Sequence, residues 1–276
     1  MGTELDAVLD RYLDALLAHD AARLPVASAL KITENGYPIQ LGHGLFETAR
    51  EITYRHAIED PASEQIAMFG AVREGLVHAN FWLRLKVERG AISEIETIIA
   101  RPGTASLVRP ELLAEPKPIY AEELPSAARA SRAELIATAN RYFQAIEHNT
   151  ADVPFHPSCN RTANGQQTTN SGPVPLSCLA QFEKKIFSYI TRVRERRFLL
   201  IDPAKGLVCG TFLMDVPGRK EDFASFPIPF EKLPAHMYTP HTILLAELFK
   251  IVHGQIREIE ATMVNVPLGA TCGWPA

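Results

Sequence analysis

Three short stretches carry the side chains with the most chemistry to offer. Read as a strand, residues 78–87 put Asn80, Trp82, Arg84 and Lys86 on one face and Phe81, Leu83, Leu85 and Val87 on the other, because successive side chains point to opposite sides. By the same alternation Glu94 and Glu96 share a face of 91–100, and Tyr54 and His56 share a face of 52–58. If these strands are antiparallel neighbours, Tyr54, His56, Arg84, Lys86 and Glu96 converge in one pocket. There His, Tyr and Glu would do acid–base work while Arg and Lys stabilise developing negative charge, each positioned group contributing roughly 10² to 10⁴ in rate. Trp82 would stack on an aromatic ligand whose hydroxyl or phenolate the cations hold. The alternation equally describes a solvated sheet face laced with cross-strand ion pairs.

The elements that must position these residues are legible from periodicity. Leu5, Val8, Leu9, Tyr12, Leu13, Leu16 and Leu17 recur at three- and four-residue steps, the apolar stripe of an amphipathic helix, and Leu135, Ile136, Ala139, Tyr142, Phe143 and Ile146 repeat it. Asn35-Gly36 signals a turn, and a short helix is expected over 45–50. Strands follow over 52–58, 65–73, 78–87 and 91–100, punctuated by Asp60-Pro61, Glu74-Gly75 and Arg89-Gly90.

The chain is an internal duplication. Arg11-Tyr12-Leu13-Asp14-Ala15-Leu16 is matched by Arg141-Tyr142-Phe143-Gln144-Ala145-Ile146, Thr33-Glu34-Asn35-Gly36 by Thr162-Ala163-Asn164-Gly165, and Ile92-Ser93-Glu94-Ile95-Glu96 by Ile256-Arg257-Glu258-Ile259-Glu260. Three matches in one order place a first domain at 1–115, a Pro-rich linker at 116–130, and a second domain at 131–276 with an insert at 217–240 that reads as a flap or oligomer contact. The second copy sets Lys250 against Lys86 and Glu258 and Glu260 against the two glutamates, but Leu248 against Arg84, which nominates the first copy as the catalytic one. His156, Arg161 and Asn164, clustered near Pro154 and Pro157, make a rival claim for the second.

Composition narrows the function. With 28 Lys+Arg against 32 Asp+Glu and no block of like charge, the chain lacks the electrostatic footprint of a nucleic-acid or membrane-surface partner. No apolar run approaches the roughly 20 residues of a spanning helix, and the N-terminus lacks a signal-peptide pattern, so a cytoplasmic location is expected. Cys159, Cys178, Cys209 and Cys272 lack metal or disulfide spacing and read as buried thiols. No phosphate-binding loop, dinucleotide fingerprint, nucleophile elbow or metal motif is present, so no cofactor and no metal is expected.

Helices followed by an antiparallel meander, given twice, resemble the nuclear-transport-factor-2-like superfamily, in its polyketide-cyclase (SnoaL-like) and small-dehydratase group. The resemblance covers nearly the whole chain. The phrases Lys31-Ile32-Thr33-Glu34-Asn35-Gly36, Leu41-Gly42-His43-Gly44-Leu45 and Phe155-His156-Pro157-Ser158-Cys159-Asn160-Arg161 resemble a tandem subgroup that includes the cofactor-free diarylpropane lyases of sphingomonads. It implies an α+β fold of two tandem cone-shaped barrels, each a curved antiparallel sheet wrapped around N-terminal helices, with ionisable side chains projecting into the hollow. The implied reaction is dehydration of a lignin-derived diaryl propanediol to a quinone methide, then loss of formaldehyde to leave a stilbene. Tyr54, His56, Arg84, Lys86 and Glu96 are then the catalytic candidates, with Tyr12, Asn35, Trp82, His156, Arg161 and Asn164 binding the small aromatic substrate. A dehydratase, isomerase or cyclase on another hydroxylated compound uses the same pocket, and a non-catalytic binding module is the reading from a different class. A homo-oligomer is expected, because a curved sheet leaves an outer apolar face to cover.

Overall fold

The computed structural model describes residues 3–105, 107–172, 175–226 and 228–275, with the side chain of His236 excluded. The first unit runs α1 (Glu4–Ala18), β1 (Val26–Glu34), β2 (Tyr37–Pro38), α2 (Leu45–Thr48), β3 (Ala49–Asp60), β4 (Gln65–Glu74), β5 (Val77–Glu88) and β6 (Ala91–Ala100). The second repeats the order with α3 (Arg132–His148), β7 (Phe155–Ala163), β8 (Gln166–Gln167), α4 (Cys178–Glu183), β9 (Arg192–Asp202), β10 (Leu207–Val216), α5 (Ala235–Tyr238), β11 (His241–Val252) and β12 (Gln255–Val266). Both long helices begin on a side-chain cap, Thr3 for α1 and a Ser131/Glu134 capping box for α3.

The sheets share one topology, β2-β1-β6-β5-β4-β3 and β8-β7-β12-β11-β10-β9, so the chain is a tandem α+β protein. They are mixed rather than antiparallel, because β1 lies parallel to β6 and β7 parallel to β12. The expected strands do not include β1 and β7, whose residues carry no period-2 alternation strong enough to mark them.

Each helix covers one sheet face. Leu9, Tyr12, Leu13 and Leu16 of α1 pack on Phe81, Leu83 and Leu85, and Tyr142, Phe143 and Ile146 of α3 pack on Phe212, Leu245 and Phe249. The other two faces meet each other. Phe69, Trp82 and Ile98 of the first sheet share a buried cluster with Leu213, Leu244 and Leu248 of the second, giving layers of helix, sheet, sheet and helix. The outer faces assigned above to an oligomer partner therefore cover one another within the chain.

Two arms cross between the units. The segment after β6 lies over the Asn164-Gly165 turn, where Arg109 N–H donates to the Asn164 carbonyl, and the segment after β12 lies over the Asn35-Gly36 turn. Both glycines have positive φ, and a Cβ at Gly165 would sit 2.1 Å from the Arg109 carbonyl oxygen. Gly165→Ala is expected to lower stability by roughly 1–3 kcal/mol, read as a lower urea midpoint; an unchanged midpoint would mean that the arm does not press on this turn. In the insert, Phe223 stacks on Tyr189 at 5.3 Å, over the side of the second sheet that α3 covers.

Candidate functional site

Register decides where the nominated residues go. In the first sheet Arg84 pairs with Glu96 and Lys86 with Glu94, and in the second Leu248 pairs with Glu260 and Lys250 with Glu258. All of these lie on the faces turned toward the other sheet. The helix took the apolar face of β5, so the ionisable face, which also carries Trp82, was left to be buried by the second sheet. The expectation that Tyr54, His56, Arg84, Lys86 and Glu96 project into the hollow under the helix is therefore corrected. They lie in the inter-sheet layer, divided between two clusters.

The first cluster joins Tyr54 and His56 to a carboxylate of the other unit. Glu260 accepts a hydrogen bond from Tyr54 Oη at 3.0 Å and lies 2.6 Å from His56 Nδ1. All three are buried. Tyr120, from the segment between the units, lies against the His56 ring with centroids 4.7 Å apart. The Tyr54 hydroxyl is held well above its ordinary pKa, first by burial and then by the Glu260 charge, so it stays a donor. With Nδ1 on the carboxylate, His56 Nε2 has no hydrogen-bond partner among the described residues. A crevice of about 270 Å³ opens here, lined by Tyr54, Leu112, Leu113, Lys117, Tyr120 and Glu260.

The second cluster is its pseudo-symmetric counterpart. His56 pairs with Phe69 of β4, and Arg197 pairs with Thr211, which occupies the place of Phe69 in β10. Arg197 thus stands where the first unit has His56, and it binds Glu96 as His56 binds Glu260. Glu96 receives Arg197 Nη1 at 2.7 Å and Arg84 Nε at 2.9 Å, while Arg84 Nη1 also reaches Gln65 at 2.8 Å and Glu94 at 2.7 Å. Two guanidiniums, one from each sheet, converge on the single Glu96 carboxylate, which joins the two units as a shared acceptor. Lys86 is half-exposed and paired with Glu88. Trp82 is fully buried in the apolar part of the layer, and its indole N–H finds no acceptor among the described residues.

Other nominated residues lie between helix and sheet or in the turns. In the first unit, Tyr12 is buried edge-on to Phe46, and the space beside it measures about 10 Å³. Asn35 and Asn164, expected to bind substrate, instead clamp backbone: Asn35 bonds N–H and C=O of Ile99, and Asn164 bonds N–H and C=O of Met263. His156 Nδ1 accepts the N–H of Ser158 and belongs to no cluster. Arg161 is buried beneath α3, bonded to Tyr142 at 3.2 Å, Thr168 at 3.0 Å and Gln181 at 2.5 Å.

Beside them lies Glu247, which the sequence reading did not single out. It is buried, its Oε2 has no partner, and burial pushes its carboxyl up to about 8 against the pull of Arg161 and Tyr142. Register puts Glu247 where the first unit has Leu83, and Arg161 where it has Ile32. Because the folded pKa lies above the unfolded one, the stability linked to this proton is complete below about pH 4.5 and is lost as pH rises to about 8. The slope is about 1.4 kcal/mol per pH unit. Relative to Glu247→Gln, the wild type is expected to lose unfolding free energy across that window, measured by urea titration; parallel profiles would show that Glu247 is ionised throughout.

A family model described as a domain of unknown function, DUF8021, matches residues 128–263. No curated protein matches the chain. Among solved structures, a putative hydroxylase AclR from Streptomyces galilaeus is similar at 13% identity over 53% of this chain and 89% of its own, with a TM-score of 0.33. A putative ketosteroid isomerase from Kribbella flavida gives 13%, 45%, 91% and 0.30, and PrhC from Penicillium brasilianum 13%, 49%, 82% and 0.31. Among the described residues no helix is long and apolar enough to cross a membrane.

Of the clusters, the first has what acid–base chemistry requires: an imidazole oriented by a carboxylate, a neutral phenol on the same carboxylate, and a crevice at their side. The second offers fixed positive charge. The third, Arg161 and Glu247 beneath α3, offers a neutral acid behind a wall of aromatic rings.

Proposed function

We propose that the chain is an acid–base lyase for hydroxylated aromatic compounds, working at the crevice beside Tyr54, His56 and Glu260. The observation that carries this reading is the buried His56–Glu260 pair, whose carboxylate lines the crevice together with the Tyr54 phenol bonded to it, while the second imidazole nitrogen has no partner among the described residues. In the specific form, the substrate is a para-hydroxyphenyl propanediol bearing a second aryl group. Imidazolium at His56 gives its Nε2 proton to the departing benzylic hydroxyl, water leaves, and the phenolate electrons close a quinone methide. Neutral His56 then takes the proton of the terminal alcohol. The carbon–carbon bond breaks, formaldehyde departs, and the electron pair returns through the quinone methide to give the stilbene phenolate. One proton is given and one recovered, so no external acid is consumed. Glu260 stabilises the imidazolium, Tyr54 fixes Glu260, and Lys117 lies where it can meet the phenolate.

A crevice of about 270 Å³ favours a second form, a dehydratase or isomerase acting on a one-ring hydroxylated compound, since it falls just below the range of ligand pockets, which run from about 300 Å³ upward. Incubation with a diaryl propanediol and with one-ring 1,3-diols separates the two: stilbene absorbance with equimolar formaldehyde supports the first, and dehydration of the one-ring diol alone supports the second. Binding without turnover of either would leave a non-catalytic binding module.

A further inference from the structure

The inter-sheet layer has a second opening, on the side of Arg84 and Glu96. We propose that this crevice is a binding site for a small aromatic carboxylate, separate from the acid–base cluster. Its volume is about 590 Å³, and its walls include Lys31, Arg84, Lys86, Arg196, Arg197 and Trp274. Five cations face four carboxylates: Glu96 is shared by Arg84 and Arg197, Glu94 by Arg84 and Lys86, while Glu88 holds Lys86 and Glu147 holds Arg196. Lys31 has no carboxylate partner among the described residues. Its ammonium sits 4.2 Å from the centroid of Trp274, whose indole N–H donates to Thr33 at 2.8 Å. The Arg84 and Arg197 guanidinium carbons lie 4.9 and 5.6 Å from the same centroid.

The duplication shows that two of these cations, Lys31 and Arg84, are not demanded by the fold, whereas Lys86 is matched by Lys250. Where the first unit has Lys31, Arg84 and Gln65, the equivalent positions of the second are Asn160, Leu248 and Leu207. At these three positions the second unit builds the same sheet with neutral residues. Arg84 is nonetheless fully buried, and its Nη2, although 2.9 Å from Glu96, makes no well-directed hydrogen bond. An unpaired lysine at the rim, a buried guanidinium with an unused donor behind it, and the rings of Trp274 and Phe198 at the sides define the ligand. A planar ring would lie against the indole, and its carboxylate would bridge Lys31 and the arginines, as charge-assisted pairing favours.

Calorimetric titration with 4-hydroxybenzoate, with inorganic phosphate and with benzyl alcohol tests the site, alongside tryptophan fluorescence. Binding of 4-hydroxybenzoate with a change in fluorescence is expected, at least tenfold weaker in Lys31→Ala, absent in Lys31→Glu, and unchanged in Glu260→Gln, which belongs to the other cluster. Lys31 is exposed, so its variants should fold like the parent. No heat with 4-hydroxybenzoate at 10 mM, or affinity equal in Lys31→Ala, overturns the proposal; phosphate binding as tightly removes the role of the ring, and benzyl alcohol binding as tightly removes that of the charge.

Discussion

Glu260→Gln is expected to lower kcat on the hydroxylated aromatic substrate by about 10² to 10⁴-fold while leaving KM within a few-fold. The amide keeps the shape and can still accept from Tyr54, but it cannot balance an imidazolium at His56, so the loss falls on the proton-transfer steps. His56→Ala removes the proton carrier itself and should be at least as inactive, and the double variant should be no worse than the worse single one, because the two act as a unit. Tyr54→Phe, which leaves Glu260 on His56 alone, should lose less. Stilbene absorbance or substrate depletion gives the rates. Parental turnover in Glu260→Gln would remove the active site from this crevice.

The second large effect concerns folding. Glu96→Ala is expected to destabilise the chain by about 3–5 kcal/mol, since it takes the common carboxylate from two buried guanidiniums on opposite sheets, leaving Arg197 without an ion-pair partner among the described residues and Arg84 with Glu94 alone. Domains of this size are stable by only about 5–15 kcal/mol, so the variant should unfold at markedly lower urea. Adding Arg84→Leu, which copies Leu248 of the other unit, should recover part of the loss by removing one of the two charges. If Glu96→Ala shifts the midpoint by less than about 1 kcal/mol, the carboxylate does not hold the two sheets together.

What the sequence revealed here was local. Alternation put Arg84 with Lys86 and Glu94 with Glu96 on shared faces, and the repeat set Lys250 against Lys86 and Glu258 and Glu260 against the two glutamates, an alignment the strand register reproduces. What alternation cannot choose is the cover for each face. Both faces of β5 are buried, one beneath Leu13 and Leu16 and the other beneath the second sheet, and Trp82 makes the charged face apolar enough for either. The partner of His56 lies 204 positions along the chain and becomes visible only once the sheets are known to pack face to face. Glu247 sits inside the run Leu244-Leu245-Ala246-Glu247-Leu248-Phe249, where a lone acid breaks the apolar pattern. Setting it against Leu83 of the first copy was the available signal. Asn35 and Asn164 misled because an Asn-Gly turn and a ligand-binding amide look alike in one dimension.

The crossing arms change what the covalent link between the units does. The segment that follows β6 rests on the second unit, and the segment that follows β12 rests on the first, so each half wears its neighbour's cover. A nick near Pro125 to Ala130 would leave two fragments that still embrace reciprocally. The peptide bond there acts as a tether: it raises the effective concentration of one half at the other by confinement, and adds no contact of its own.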